Sequence, residues 1–492
     1  MPNVQSFEVA QGDTYGDLLS AERISSGRKL KIGVLAGAFF EYWPMYPNLK
    51  ATVEADNQVV VGRLASRHDV VYPCLVDTLD AADEAGRCFR EAQIDLLIIA
   101  ERTYIPDAYV HQTLSHLAGV PLLLFVSQSR DEFDLRGDYE AVLRNSGLMS
   151  LVQLVAGFRK MGLYPQVEVV VGSIRDEQAY RAIEAYCDVV TIYKQLRTMT
   201  IGVIGSVFRG MFDFEYDKTK VKGALGPEVL NIQIDHLLAL WRETPPEDAE
   251  VRELLARVPS LYDVAGVGDG DLLAAARIGI ALKKLVARFR LDGVALLGQH
   301  FVEAQVKAPP YLGLAELHRE GRVLGVTEGD VIGLIAMKIL RHLAGKTPFF
   351  LEWSEYDLRR NAWMLLGHGF SDPTQGRKGQ RPRLTPTPEQ WGLEGTGCSV
   401  ELSPEPGVCT VTHMVEDARG WRMLITGGEI LDLPSMPIHD THALVRVERP
   451  IKEFVELLTK AGLPHHAMMV RGDVRKQLGQ LANLMGMEKT LL

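Results

Sequence analysis

From Leu30 onward the chain repeats one pattern: a short, largely apolar run, a longer amphipathic stretch, then another apolar run. The runs are Lys31-Ile32-Gly33-Val34-Leu35-Ala36-Gly37, Val70-Val71-Tyr72-Pro73, Leu96-Leu97-Ile98-Ile99-Ala100 and Pro121-Leu122-Leu123-Leu124-Phe125. A strand that is apolar on both faces needs cover on both faces, and helices between such strands provide it in a parallel sheet. Residues 1–175 are therefore expected to form a doubly wound α/β domain.

The pattern continues through Val167-Glu168-Val169-Val170-Val171-Gly172 and a helical stretch around Glu177 to Thr198, then restarts at Thr200-Ile201-Gly202-Val203-Ile204-Gly205. This predicts a second α/β domain over residues 176–346. Its expected helices are Pro227 to Trp241, with Pro at a permitted first-turn position, Asp248 to Val258 and Asp269 to Phe289. Gly293 to Gly298 reads as a buried strand ending just before Gln299-His300.

Beyond Lys346 the helices give way to short runs with turn signals at Ser399 to Leu402, Val408 to Val415, Gly420 to Thr426 and His442 to Glu448. Such alternation predicts an antiparallel, barrel-like domain over residues 347–492. The Pro-, Gly- and Arg-rich stretch from Pro373 to Gly397 reads as an exposed loop, and helices Pro450 to Ala461 and Asp473 to Met485 close the chain. Roughly three domains of about 150 residues suit a chain of 492.

A net charge of −10 with no long basic run argues against a nucleic-acid partner. No apolar stretch approaches the roughly 20 residues that span a bilayer, and Met1-Pro2-Asn3-Val4-Gln5 lacks the basic and apolar regions of a signal peptide, so a cytoplasmic location is expected and no membrane partner. Cys74, Cys88, Cys187, Cys398 and Cys409 are odd in number and never spaced Cys-x-x-Cys, and read as reduced structural thiols. Gly266-Val267-Gly268-Asp269-Gly270 follows no convincing strand and lacks the context of a dinucleotide loop.

The chemistry lies in four separated segments. Glu328 stands in Thr327-Glu328-Gly329-Asp330, ahead of an apolar helix, and Glu352 in Phe350-Leu351-Glu352-Trp353, where an unpartnered carboxylate would be costly. His368 is flanked by Gly367 and Gly369. His465-His466 follows Pro464 and precedes a strand, so the two rings would point to opposite faces. Each alone has an ordinary reading, as a carboxylate at a helix N-terminus, a solvated turn or a structural histidine. Two carboxylates and two imidazoles together would hold a Mn²⁺-type ion, with Co²⁺ or Mg²⁺ tolerated, and leave positions open for adjacent sugar oxygens. No compact Cys/His spacing of structural zinc is present.

The order and surroundings of these four segments resemble those of the L-arabinose isomerases and, at the level of fold, the related L-fucose isomerases. The resemblance implies a three-domain α/β chain, a homo-oligomer (hexameric in relatives) and a metal-dependent aldose–ketose isomerase working through an enediol. On it, Glu328, Glu352, His368 and His466 are metal ligands, Glu328 and Glu352 are also the acid/base pair, and His300, Arg209, Phe208, Gln128 and His465 are candidate sugar contacts. Asp330 is a candidate support for them.

The chain departs from the family where the sugar would lie. Val126 stands in place of a His before Ser127-Gln128, Phe208 replaces a Met in Gly205-Ser206-Val207-Phe208-Arg209, and Ala38-Phe39-Phe40-Glu41-Tyr42-Trp43 lacks a Thr-Gln pair. The expected substrate is thus a pentose, hexose, or deoxy or substituted sugar; an anionic substituent would find Arg209, Lys220 and Lys222 nearby in sequence. A non-catalytic sugar sensor and a metal-dependent epimerase or aldolase are the alternatives, since fold does not fix function.

Overall fold

A computed structural model describes residues 29–164, 167–297, 299–389 and 394–492. The chain clusters into two compact units, an N-terminal one of residues 29–194 with 477–486 and a C-terminal one of residues 195–476 with 487–492.

The N-terminal unit carries β1 (Lys31–Gly37), β2 (Asp69–Val71), β3 (Leu75–Val76), β4 (Leu96–Ile99), β5 (Leu122–Gln128) and β6 (Glu168–Ser173). All pair in parallel in the order β2-β1-β4-β5-β6, with β3 beside the end of β1. Leu35, Leu97, Ile99 and Leu124 share a core with Phe89 and Phe158 from helices Leu79–Ala92 and Gly147–Met161. This is the doubly wound domain expected from the apolar runs. Helix Glu177–Leu196 begins after the expected boundary at 175/176 but belongs to this unit, where Tyr180 packs edge-on against Phe125 of β5 with ring centroids 5.8 Å apart.

One expectation needs correction here. The stretch Tyr139–Met161, 23 residues long, does reach the length and hydropathy of a membrane span. It is two helices, Tyr139–Leu143 and Gly147–Met161, and the second seats Leu151, Leu154 and Phe158 in the core of the unit. An apolar helix face docked on a sheet passes the same test of length and composition as a membrane helix.

The C-terminal unit begins with β7 (Thr200–Ile204), β8 (Glu228–Ile232), β9 (Asp263–Val264), β10 (Gly293–Leu296) and β11 (Leu324–Thr327). Four of these form a parallel sheet in the order β11-β10-β7-β8. Residues 228–232 are therefore a strand and not the start of a helix at Pro227. Val229, Leu230 and Ile232 suit a half-buried strand and pair in register with β7, and the helix begins only at Ile234.

The chain then runs through β12 (Phe349–Asp357), β13 (Ala362–Gly367), β14 (Arg383–Thr385), β15 (Ser399–Glu401), β16 (Gly407–Asp417), β17 (Gly420–Ile430), β18 (His442–Arg446), β19 (His466–Arg471) and β20 (Glu488–Leu491). Antiparallel pairings connect β16-β19-β12-β13-β18-β17, and β17 pairs back with β16, which closes a six-stranded barrel. Closure removes the free edges that an open sheet would expose. The strand at Ser399 is not part of it; it joins β14 and β9 in a small separate sheet. The stretch 373–397, expected as an exposed loop, contributes β14, whose Leu384 is fully buried. Helix Val331–Ala344, buried along most of its length, packs against β10 and β11 on the one hand and barrel strands β16 and β19 on the other.

Candidate metal centre

Glu328 follows β11 directly, at the C-terminal end of a parallel strand, where open α/β sheets present their ligand-binding residues. Two successive left-handed residues make this turn, Glu328 at φ 61° and Gly329 at φ 76°. The Glu328 carbonyl accepts the Phe208 N–H at 2.9 Å, which ties the turn to the loop after β7. A Cβ on Gly329 would lie 2.5 Å from the Ser206 carbonyl oxygen and 2.8 Å from Val207 Cα, so only glycine fits. A non-glycine residue held left-handed stores strain of about 1–3 kcal/mol, and such strain concentrates at functional sites. Gly329→Ala is expected to lower stability by about 2 kcal/mol or more through backbone collision and strain; thermal unfolding would measure this, and an unchanged midpoint would contradict it.

The barrel supplies the remaining groups. Glu352 on β12 is cross-strand from His466 on β19 and from Leu366 on β13, so the sheet register alone brings Glu352 beside His466. His368 lies one residue beyond β13, and its neighbour Gly369 (φ 70°) donates its N–H to the buried Asp440 Oδ1 at 2.5 Å. Phe350 packs between the two imidazoles, 5.4 Å from the His368 ring and 4.5 Å from that of His466.

The four expected ligands fall in two groups that share His466. Ligand atoms of Glu328, His368 and His466 all lie within 4.8 Å of one another and all three residues are buried. Glu352, His465 and His466 form a second such group, sharing His466 with the first. Glu352 Oε2 also stands 3.9 Å from His368 Nε2. Glu328 Oε2 and His466 Nε2 are buried 3.2 Å apart without the alignment of a hydrogen bond. Buried polar atoms are normally satisfied; two donor atoms aimed together in this way fit a cation, and an oxygen and imidazole set suits a hard to borderline divalent one.

Asp330 organises the centre from behind. It is wholly buried; its Oδ1 caps the helix by accepting the Gly333 N–H at 2.7 Å, and its Oδ2 lies 2.9 Å from His466 Nδ1 and 3.0 Å from His413 Nε2. Because a carboxylate only accepts, Nδ1 of His466 carries a proton, and the Nε2 that faces Glu328 is the nitrogen an ion would take. Burial opposes ionisation of Asp330, but the two imidazoles override it and hold its carboxyl far below the usual range.

The other groups respond to the same balance. Burial would lower the His466 pKa, yet Asp330 and Glu328 raise it to about 9; a bound divalent ion would take that proton's place. His368, with burial the main cause, is lowered to about 3 and is a neutral imidazole with a lone pair to offer. Burial pushes Glu352 up, whereas Glu328, despite burial, is lowered by its close contact with His466 and by the surrounding imidazoles.

Of the expected sugar contacts, His465 lies in the centre and Phe208 and Arg209 lie on the loop tied to Glu328. Gln128 ends β5 in the N-terminal unit, paired in register with Ser173. The side chain of His300 falls outside the described residues. Three residues that sequence reasoning did not single out support the centre: His413 behind Asp330, Asp440 beneath the His368 turn, and Asp213, whose Oδ2 accepts both the backbone N–H of His465 at 3.0 Å and its Nδ1–H at 2.6 Å. Asp213 is pulled down to about 2 because these hydrogen bonds outweigh its burial. A histidine inside an alternating apolar strand, Thr412-His413-Met414, was the one legible signal among the three.

No model of a known protein family matches the chain. It is similar to the sulfoquinovose isomerase of Alkalicoccus urumqiensis, 23% identical over 301 residues that cover 60% of this chain and 65% of that one. The sulfoquinovose isomerase of Priestia megaterium is likewise 23% identical over 306 residues, covering 61% of this chain and 66% of that one. The chain thus matches just under two thirds of the length of these relatives. The similarity is consistent with the resemblance to L-arabinose and L-fucose isomerases carried by the four segments.

Proposed function

We propose that this chain is a divalent-metal-dependent aldose–ketose isomerase acting on a hexose with an anionic group at C6. The grouping of Glu328 with His368 and His466, and of Glu352 with the same His466, carries the reading, and the similarity to sulfoquinovose isomerases supports it. A divalent ion held by these four residues, Mn²⁺ best and Co²⁺ or Mg²⁺ tolerated, supplies Lewis-acid polarisation of adjacent sugar oxygens. Glu352 and Glu328 arrive from different elements, one from the barrel and one from the parallel sheet, so a single sugar meets two carboxylates. One moves the proton between C2 and C1 through an enediol while the other handles the hydroxyl proton. Phe214 and Phe350, both almost fully buried around the imidazoles, keep water from the reacting carbons. A homo-oligomer, hexameric by the family resemblance, is part of this reading.

The anionic substituent is assigned to Arg209. Lys220 pairs with Glu416 at 2.7 Å and Lys222 donates to backbone carbonyls of Arg197 and Gly226, so both are committed elsewhere. Arg209 is exposed, next to the Phe208 N–H that binds the Glu328 carbonyl. A sulfonate held by a guanidinium gains about 1.5–3 kcal/mol from charge-assisted hydrogen bonds, so Arg209→Gln is expected to raise KM for sulfoquinovose by roughly 10- to 100-fold and to leave that for 6-deoxy-D-glucose unchanged. Equal losses on both sugars would remove Arg209 from this role.

Incubation of the protein and Mn²⁺ with sulfoquinovose, 6-deoxy-D-glucose, L-arabinose and L-fucose, followed by NMR after chelation, tests the reading. The sulfonated ketose should form fastest. Metal binding without ketose from any of the four sugars would contradict it.

A further inference from the structure

We propose that two copies of this chain meet across the groove between β6 and helix Gly147–Met161, each placing Phe133 and Leu135 in the groove of the other. The proposal stands apart from the isomerase reading and gives the homo-oligomer named there a face. A parallel sheet is ordinarily covered on both sides. On one side of β5 and β6 this holds: Phe125 and Val170 are paired in register and buried, and Tyr180 of helix Glu177–Leu196 packs on Phe125. On the other side Leu124 and Val126 are in register with Val169 and Val171, and the cover stops short of the edge. Val169 is 44% exposed and Val171 69%. Helix Gly147–Met161 stands back from them and turns Leu148 and Val152, both more than half exposed, into the gap. What remains is an open groove of about 710 Å³ with aliphatic walls.

The loop after β5 carries the matching shape. Arg130 and Asp131 stand at the rim of the groove, and just beyond them Phe133 is 88% and Leu135 97% exposed, the highest values for large apolar side chains among the described residues. These two with Leu148, Val152, Val169 and Val171 leave roughly 700 Å² of apolar side chain in water, against about 300–600 Å² for the largest patch of a typical monomer and about 800 Å² given by each partner in a standard interface. Charge is complementary as well. Asp131, Glu132 and Asp134 surround Phe133, and only Asp134 is paired among the described residues, with Arg130 at 3.2 Å. Arg159 lines the groove and Lys160 follows it, and neither forms an ion pair among the described residues. An acidic loop with an apolar tip thus faces an apolar groove with a basic border. A small ligand in the groove would leave Phe133 and Leu135 in water. A second copy related by a two-fold axis near the rim covers both loops and both grooves at once, which is the self-complementarity of an isologous contact.

Sedimentation of the full chain over a range of concentrations tests this. The wild type should assemble beyond the 54.6 kDa of one chain, with an even number of copies. Phe133→Ser and Leu135→Ser should each raise the Kd of association about 30-fold or more, the loss expected of a central anchor, and the double variant should halve the assembled mass. Val152→Arg should do the same from the groove side. All of these side chains are exposed within the single chain, so circular dichroism should stay that of the wild type. Leu358→Ser, which alters an apolar side chain of the barrel that is likewise more than half exposed, should leave the mass unchanged. A wild type of single-chain mass at every concentration would overturn the proposal and hand the groove to another occupant. A wild-type mass kept by both the double variant and Val152→Arg, or lost equally in Leu358→Ser, would overturn it too. Ketose formation does not enter the readout, so failure of the isomerase reading would be a separate result.

Discussion

Glu352→Gln is expected to cut kcat by about 10³- to 10⁴-fold in a protein that remains folded. That is the upper part of the roughly 10²- to 10⁴-fold that a positioned acid or base contributes, and the same substitution removes a negative oxygen from the proposed ion-binding set. The fold should tolerate it. Glutamine matches glutamate in volume, the backbone of Glu352 keeps its pairing with His466 and Leu366, and the side chain lies at the lip of the centre, 24% exposed. Because burial already makes ionisation of Glu352 costly, loss of its charge leaves no unpaired partner in the core. The check is kcat at saturating Mn²⁺ beside the thermal unfolding midpoint. More than a tenth of wild-type kcat, with the midpoint unchanged, would remove Glu352 from the reaction.

Asp330→Asn is expected to act through the metal, weakening ion affinity by about 10- to 100-fold, the range typical for a lost outer partner of a metal-binding histidine. An asparagine keeps an oxygen for the Gly333 N–H, so the helix cap can persist. Its amide then faces His466 Nδ1 and His413 Nε2, where the carboxylate had accepted from both. An N–H directed at His466 Nδ1 favours the tautomer protonated on Nε2, the nitrogen that faces Glu328, and so removes the lone pair the ion needs. Asp330→Ala adds loss of the cap and of a wholly buried charge from between two imidazoles, and should cost about 3–5 kcal/mol of stability. Isothermal titration with Mn²⁺ separates the two effects: Asp330→Asn should bind weakly and unfold near the wild-type temperature. Wild-type Mn²⁺ affinity in Asp330→Asn would show that His466 does not depend on this carboxylate.

The residues that sequence made legible are those whose local context is unusual. Glu328 before a glycine at a strand end, Glu352 among aromatic residues and His368 between two glycines each break the pattern around them, and each lies beside His466 in the structure. The parallel sheets were legible for a related reason, since runs such as Leu96 to Ile99, buried on every side chain, admit few other folds. Illegible parts depended on pairing at a distance. Nothing in Pro227-Glu228-Val229-Leu230-Asn231-Ile232 separates a strand from a first helical turn until β7 is present to pair with it. Ser399 to Leu402 has the alternation of a barrel strand, yet it pairs with β14 and sits outside the barrel. Asp213 in Met211-Phe212-Asp213-Phe214 carries no local mark at all; its significance comes from His465, 252 residues away.

The central claim is that Glu328, Glu352, His368 and His466 form a divalent-metal centre that moves a sugar proton between C2 and C1. The most direct test is incubation of the metal-stripped chain with sulfoquinovose in D₂O, with and without Mn²⁺, and NMR of the recovered sugars after chelation. The account predicts ketose only when Mn²⁺ is present, with deuterium entering at C1 of that ketose to the extent that the transferring carboxylate exchanges with solvent, and none with Glu352→Gln. Equal ketose with and without the metal, or recovery of only a C2 epimer or a cleaved product, would contradict it.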